Sequence, residues 1–160
     1  MATTGKVRSN LINIYISNDL DGVLDDTGSD DTFDIIASST SGTFSGELET
    51  IDATSKDNDG ARSILVSAIN WNISAEGLVQ FDDTTNKVRS AELFDIWKAK
   101  TQIRVAWTTG ESGDNFYYGN GYITSYEESA GLNEVASYSI TIEGDGDINK
   151  TATATATFNS

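Results

Sequence analysis

The sequence predicts a mainly β fold, a β-sandwich or barrel with one flanking α-helix, and three observations carry that prediction. The first is period-2 alternation. Over Glu134–Glu143, Ala136, Tyr138, Ile140 and Ile142 fall on one face and Ser137, Ser139, Thr141 and Glu143 on the other, the pattern of a strand with one buried and one wet face. The second is turn chemistry between such runs: Thr54–Gly60 (TSKDNDG) and Glu127–Asn133 (EESAGLN) supply the small and polar residues that turns use. The third is that helical spacing is read in one window, Ala91–Lys100. At 160 residues the chain is expected to form a single domain, 1–160, with a real core.

Taken in order, residues 1–10 are polar, carry Lys6 and Arg8, and read as a flexible N-terminal arm. Leu11–Ser17 alternates Ile12, Ile14 and Ile16 against Asn13 and Tyr15 and is a strand. Residues 18–34 hold seven aspartates and no base; they read as an acidic loop. Phe33–Ala37 is a short strand, Ser38–Gly46 a Ser/Thr/Gly lead-in, and Phe44–Thr54 a further strand. Arg62–Ala75 makes a long strand with Leu65, Ile69, Trp71, Ile73 and Ala75 roughly on one side, and the chain turns at Glu76–Gly77. Ser90 is a plausible N-cap, Glu92 suits the first turn, and Lys98 and Lys100 suit the last. Leu93, Phe94, Ile96 and Trp97 give that helix, 91–100, an apolar face to lay on a sheet. Thr101–Thr109 is the next strand, burying Ile103, Val105 and Trp107.

Tyr117–Tyr126 places Tyr122, Thr124 and Tyr126 on one face and Ile123 opposite, and its Gly119 and Gly121 predict a bulge or a close backbone approach. Residues 149–158 alternate Thr and Ala and end in Phe158, which suits a C-terminal strand. Its small alanines bury little, so it needs a flat neighbour such as another subunit. The chain has no proline to guard its sheet edges, which points to edges paired between subunits.

Composition narrows function sharply. There is no cysteine and no histidine. Disulfides, thiol chemistry, Ser-His-Asp and Cys-His catalysis and the HExxH zinc motif are therefore all impossible within the chain. No catalytic, cofactor-binding or metal-ligating residue is singled out, and the protein is expected not to be an enzyme. The acidic loop 18–34 and Glu143–Lys150 both have the carboxylates calcium wants, but neither has the EF-hand order, and Lys150 stands where a loop glycine belongs. Both read as solvated segments. The net charge of −15 disfavours sticking to nucleic acid. Basic residues concentrate at Lys87, Arg89, Lys98, Lys100 and Arg104, a segment suited to an acidic neighbour. No run approaches a membrane span and no apolar signal core opens the chain, so folding in the cytosol of the producing cell is expected.

Within this pattern, Gly119–Ser125 (GNGYITS), a short loop, then Asn133–Gly146 (NEVASYSITIEGDG) resemble the C-terminal half of major tail proteins, the tail tube subunits of long-tailed bacteriophages. Upstream, Glu49–Gly60 resembles that family's acidic-Thr strand and polar loop, and Ile69–Phe81 its central Trp strand and turn. The helix and strand of Ser90–Thr109 follow, so the resemblance spans roughly residues 47–146. It implies a structural virion protein whose β-sandwich self-assembles into stacked hexameric rings, with sheets joined into a continuous inner β-barrel. Genomic DNA would pass along the lumen without specific binding. The implied partners are further copies, the tape measure protein, the tail terminator and baseplate or initiator proteins, with no membrane. The implied place is the virion tail tube, after synthesis in the host cytoplasm. Strands 117–126 and 134–143 would belong to sandwich and ring, and the loop 54–64 and the arm would bridge rings. The alternative is a secreted carbohydrate-binding β-sandwich using Trp71, Trp107 and exposed tyrosines, against which the missing signal core counts. A two-carboxylate glycosidase is a weaker reading, because no carboxylate pair stands out.

Overall fold

A computed structural model describes residues 5–8, 12–17, 32–56, 60–81, 87–152 and 156–159. Among them the strands are β1 (Asn13–Ser17), β2 (Thr32–Ile36), β3 (Ser39–Asp52), β4 (Ile64–Leu78), β5 (Lys87–Val88), β6 (Ile103–Thr108), β7 (Asn115–Ser129), β8 (Ser137–Ala152) and β9 (Thr157–Asn159), with one helix, α1 (Ser90–Ala99). All nine strands join one sheet in the order β3-β4-β8-β7-β6-β1-β2-β5, with β9 also on β2. β2 and β3 lie far apart in that order yet are consecutive in the chain, joined through Ala37–Ser38. The sheet must therefore curl back on itself, and its hydrogen bonds show where. The Leu78 amide donates to the Ser38 carbonyl at 3.0 Å, and the Tyr138 hydroxyl to the Ala37 carbonyl at 2.9 Å. The result is a sandwich-like barrel, mainly β with one flanking helix, as the sequence predicts.

The main core fills the inside of the curl: Ile14, Ile16 and Ile36 from one side, Trp71, Ile73, Ile140 and Ile142 from the other, with Leu93 and Ile96 of α1 between. A second cluster lies on the reverse side of the sheet, where Tyr15, Phe33, Ala106 and Phe116 pack with Phe158. Its rings meet at 5.0–6.2 Å, Phe33 stacked on Phe158 and edge-on to Phe116. β1 and β6 are thereby covered on both faces. This corrects two sequence expectations. Tyr15 is buried rather than wet, and in β6 Arg104, Ala106 and Thr108 are as buried as Ile103 and Val105, while Trp107 is half-buried against Phe44. Arg104 is thus no surface charge. It donates to Asn120 at 3.1 Å and lies over the Tyr118 ring.

Other boundaries move for identifiable reasons. The Ser38–Gly46 lead-in is strand, because its Ser, Thr and Gly residues pair along β4 from Ser39↔Gly77 onward. No turn forms at Glu76–Gly77; β4 continues to Leu78, and Gly77 is there because a Cβ would lie 2.6 Å from both the Ser38 carbonyl oxygen and the Tyr138 hydroxyl. The helix begins at Ser90, and its N-cap is Arg89, not Ser90. The Glu92 carboxylate accepts from the Arg89 amide at 3.0 Å and pairs with its guanidinium at 2.8 Å, closing the first turn. Residues 32–34 of the expected acidic loop belong to β2; 18–31, like 1–4 and 9–10 of the arm, lie outside the described residues. At the C-terminus, residues 149–152 finish β8, and β9 pairs with this chain's own β2 rather than awaiting another subunit; residues 153–155 lie outside the described set.

Candidate functional site

The feature that sets this molecule apart is not a cleft but a pair of sheet edges. β3, β4, β8 and β7 are 14, 15, 16 and 15 residues long, about three times the length of β1 or β2. β3 pairs antiparallel with β4, β4 with β8, and β8 with β7. β3 ends the sheet on one side. On the other, β6 covers β7 no further than Gly121, so Tyr122–Ser129 has no strand beside it opposite β8 among the described residues. Three successive antiparallel steps make β3 and β7 antiparallel to each other. Two copies placed edge to edge, β3 beside β7, would continue the alternation without a break.

The two faces of this four-stranded sheet differ. Strand alternation turns Trp71, Ile73, Ile123, Tyr126, Ile140 and Ile142 inward and Glu47, Glu49, Glu76, Glu127 and Glu143 outward, among serines, threonines and asparagines. Residues 39–52, 64–78, 122–129 and 137–143 contain no lysine or arginine. The outward face is uniformly acidic or neutral. Bulges adjust this register: Ser125 pairs with Thr141 directly after Ile123 pairs with Ile142, so Thr124 bulges and Tyr126 joins Ile123 inward. The strict alternation expected from the sequence put Tyr122, Thr124 and Tyr126 together. Beyond Gly121 a larger bulge sets residues 145–147 against Asn120 alone, with Gly146 at φ 91°.

Around that bulge β4 and β8 part. β4 pairs with β8 no further than Asn72↔Glu143 and then leaves with β3 as a two-stranded hairpin. Trp71 fills the fork. Its indole donates to the Gly146 carbonyl at 3.1 Å, and it lies so close over Gly119 and Gly144 that a Cβ there would come within 2.5 and 2.1 Å of it. Trp71 is 3% exposed and so is core, not a ligand platform. Past it, the hairpin has nothing against either face among the described residues. Leu48, Ile51, Ile64, Leu65, Val66 and Ile69 are 49–60% exposed. The expectation that Leu65 and Ile69 fall on one side with Trp71 holds for Ile69 and fails for Leu65, which a bulge between Glu49 and Thr50 throws to the opposite face. Of the expected 54–64 loop, residues 57–59 lie outside the described set; at its base Thr54 bonds Ser63 in both directions and also donates to Asp52, holding that carboxyl below its usual range.

Among the described residues, no cluster of three or more Asp, Glu, His or Cys is placed to hold a metal. Asp145 and Asp147 serve the bulge: Gln102 donates to Asp145 at 2.8 Å, and the Ile148 amide to Asp147 at 2.9 Å. Besides Asp52, the shifted groups are tyrosines, among them Tyr15, which burial raises. Burial raises the Tyr138 hydroxyl, and burial, then a hydrogen bond to Glu128, raises Tyr126. The Tyr138 hydroxyl donates to the Ala37 carbonyl and that of Tyr126 to Glu128. No helix among the described residues is long and apolar enough to cross a membrane.

Comparison with known proteins agrees with this geometry. A family model described as phage tail tube protein matches residues 23–150. Among solved structures, the fold is similar to a chain in the virion of a native gene transfer agent particle, at 22% identity and TM-score 0.69, covering 92% of this chain and 100% of that one. A chain in the tail of an empty gene transfer agent particle with C6 symmetry matches at 24% identity and TM-score 0.69 over the same shares. The SPP1 tail tube matches at 14% identity and TM-score 0.62, over 88% of this chain and 76% of that one. No individually curated protein sequence matches.

Proposed function

This chain belongs to the phage tail tube protein family and is a structural tail tube subunit, and from that premise we propose how it builds the tube. Six copies join edge to edge, β3 of each beside residues 122–129 of β7 in the next, so that the four long strands of every copy form one closed antiparallel barrel. The observation that carries this is the pair of uncovered, mutually antiparallel edges on a sheet far longer than its own core requires. The six-fold count is supported by the C6 symmetry of a similar tail. Rings then stack, with the N-terminal arm and the 54–64 hairpin tip as the ring-to-ring elements.

The outward acidic face lines the lumen. Glu47, Glu49, Glu76, Glu127 and Glu143 repeat around it with no base to trap a phosphate, so genomic DNA slides through without specific binding. The whole chain, 1–160, acts as one tail tube domain without catalysis or cofactor. Its partners are further copies and the proteins that measure, terminate and initiate the tail. It is made in the host cytoplasm and ends in the virion. Negative-stain electron microscopy at high and low concentration, beside light-scattering mass, tests the proposal. Six-fold rings or hollow tubes support it. A monomer at every concentration that also stays out of tubes when mixed with preformed tail initiators refutes it.

A further inference from the structure

The hairpin's uncovered apolar side and the half-exposed flank of α1 form a matched pair. Leu48, Val66 and Ile69 continue the inward face of the sheet beyond Trp71 and are 50–60% exposed. α1 lies on that same inward side: Leu93 and Ile96 enter the main core, and Tyr126, cross-strand from Ile140, donates to the Ser90 carbonyl at 3.2 Å. The helix's remaining aromatic residues, Phe94 and Trp97, pack on each other and on Tyr126 at 5.6–6.2 Å, yet stay 39% and 38% exposed. Within one chain the two patches sit at opposite edges of the four-stranded sheet, the hairpin beyond β4 and α1 against β7.

We propose that the inward face of each β3–β4 hairpin seats on the Phe94–Trp97 flank of α1 in the next copy of this chain. The inference rests on the ring reading above and adds what covers the hairpin. Joining β3 to β7 of a neighbour brings the hairpin's inward face and that neighbour's helix onto the same side of the joined sheet. Charge agrees: Asp52, on the same face of β3 as Leu48, approaches a helix end bearing Lys98 and Lys100, which have no ion pair among the described residues. Different patches on the two partners make the contact heterologous, the kind that closes rings rather than dimers.

The absence of cysteine gives a background-free test. In assembled Ile69→Cys/Trp97→Cys protein, a short bismaleimide is expected to link chains into a ladder on a denaturing gel, while Leu132→Cys/Trp97→Cys gives none. Leu132, 93% exposed in the β7–β8 turn, supplies that control. A second readout needs no cysteine. Acrylamide quenching of the Trp97 component, identified by its loss in Trp97→Phe, is expected to drop several-fold when unaltered subunits form tubes. Tubes that form normally with no ladder and with Trp97 quenched as in the free subunit would overturn this contact while leaving the tube reading intact. No rings or tubes at all would refute that reading, and this one with it.

Discussion

One sheet contains two regions with opposite accounts of burial. Around β1 and β6 both faces are covered, by the main core on one side and the Tyr15–Phe33–Phe116 cluster on the other, and nearly every side chain is buried. In the outer β3–β4 hairpin neither face is covered among the described residues, although it too carries large aliphatic side chains. Local strand propensity does not distinguish them. What differs is whether the partner surface lies within the chain. Six half-exposed aliphatic side chains, at about 1 kcal/mol each for the part still exposed, hold several kcal/mol in reserve for assembly. A monomer designed for solubility would not leave such an edge.

Substitutions on the two sides of this divide break different things. Ile140, fully buried, sits in the first region's core. Ile140→Asp buries an unpaired charge and is expected to abolish folding, read as loss of soluble, strand-rich protein by circular dichroism. Gly144→Ala, at the fork between the regions, forces a methyl group into the Trp71 ring, and its cost is expected at about 2–4 kcal/mol in a chemical-denaturation midpoint. Ile69→Asp lies in the open hairpin. It should shift the denaturation midpoint of the free subunit by less than about 0.5 kcal/mol and still stop tube formation, scored by electron microscopy. A folded Ile69→Asp protein that assembles normally would erase the distinction between the regions.

Two smaller effects sharpen the comparison. Tyr138 closes the barrel through its bond to Ala37, and burial holds its hydroxyl pKa above the ordinary 10.0. The folded state therefore keeps this proton longer than the unfolded chain does. The stability it lends is complete below pH 10 and falls as pH rises beyond it. Tyr138→Phe should cost about 1 kcal/mol at neutral pH and flatten the alkaline decline followed by thermal melts. Removing residues 1–10 should leave the melting temperature unchanged and shorten or loosen tubes; tubes of normal length from the truncated chain would take the arm out of ring stacking.

What the sequence disclosed and withheld follows the same divide. The inward face of β8, the burial of Trp71 and the single helix were legible because each rests on local periodicity that burial within the chain then enforces. The second aromatic cluster was not, because Tyr15, Phe33, Phe116 and Phe158 come from four distant segments, and Tyr15 sits between Ile14 and Ile16, which are also buried. Bulges at Thr124 and between Glu49 and Thr50 reversed faces that strict alternation had assigned. The extra length of β3 and β8 hid in Ser/Thr/Gly and Gly/Asp runs that resemble loops, although Gly42 is there for its close approach to Ile14 and Gly144 for its close approach to Trp71 rather than for turns. The assembly edges themselves carry no motif. They emerge when the pairing of every other strand is known.

The central claim is that β3 and residues 122–129 of β7 pair between subunits, and hydrogen exchange on free and assembled protein tests it most directly. The alternate β3 amides that point away from β4, and those of β7 that point away from β8, should exchange rapidly in the free subunit and become strongly protected in tubes. The already paired amides of β1 and β6 should change little. Tubes in which these edge amides exchange as fast as in the free subunit would contradict the account.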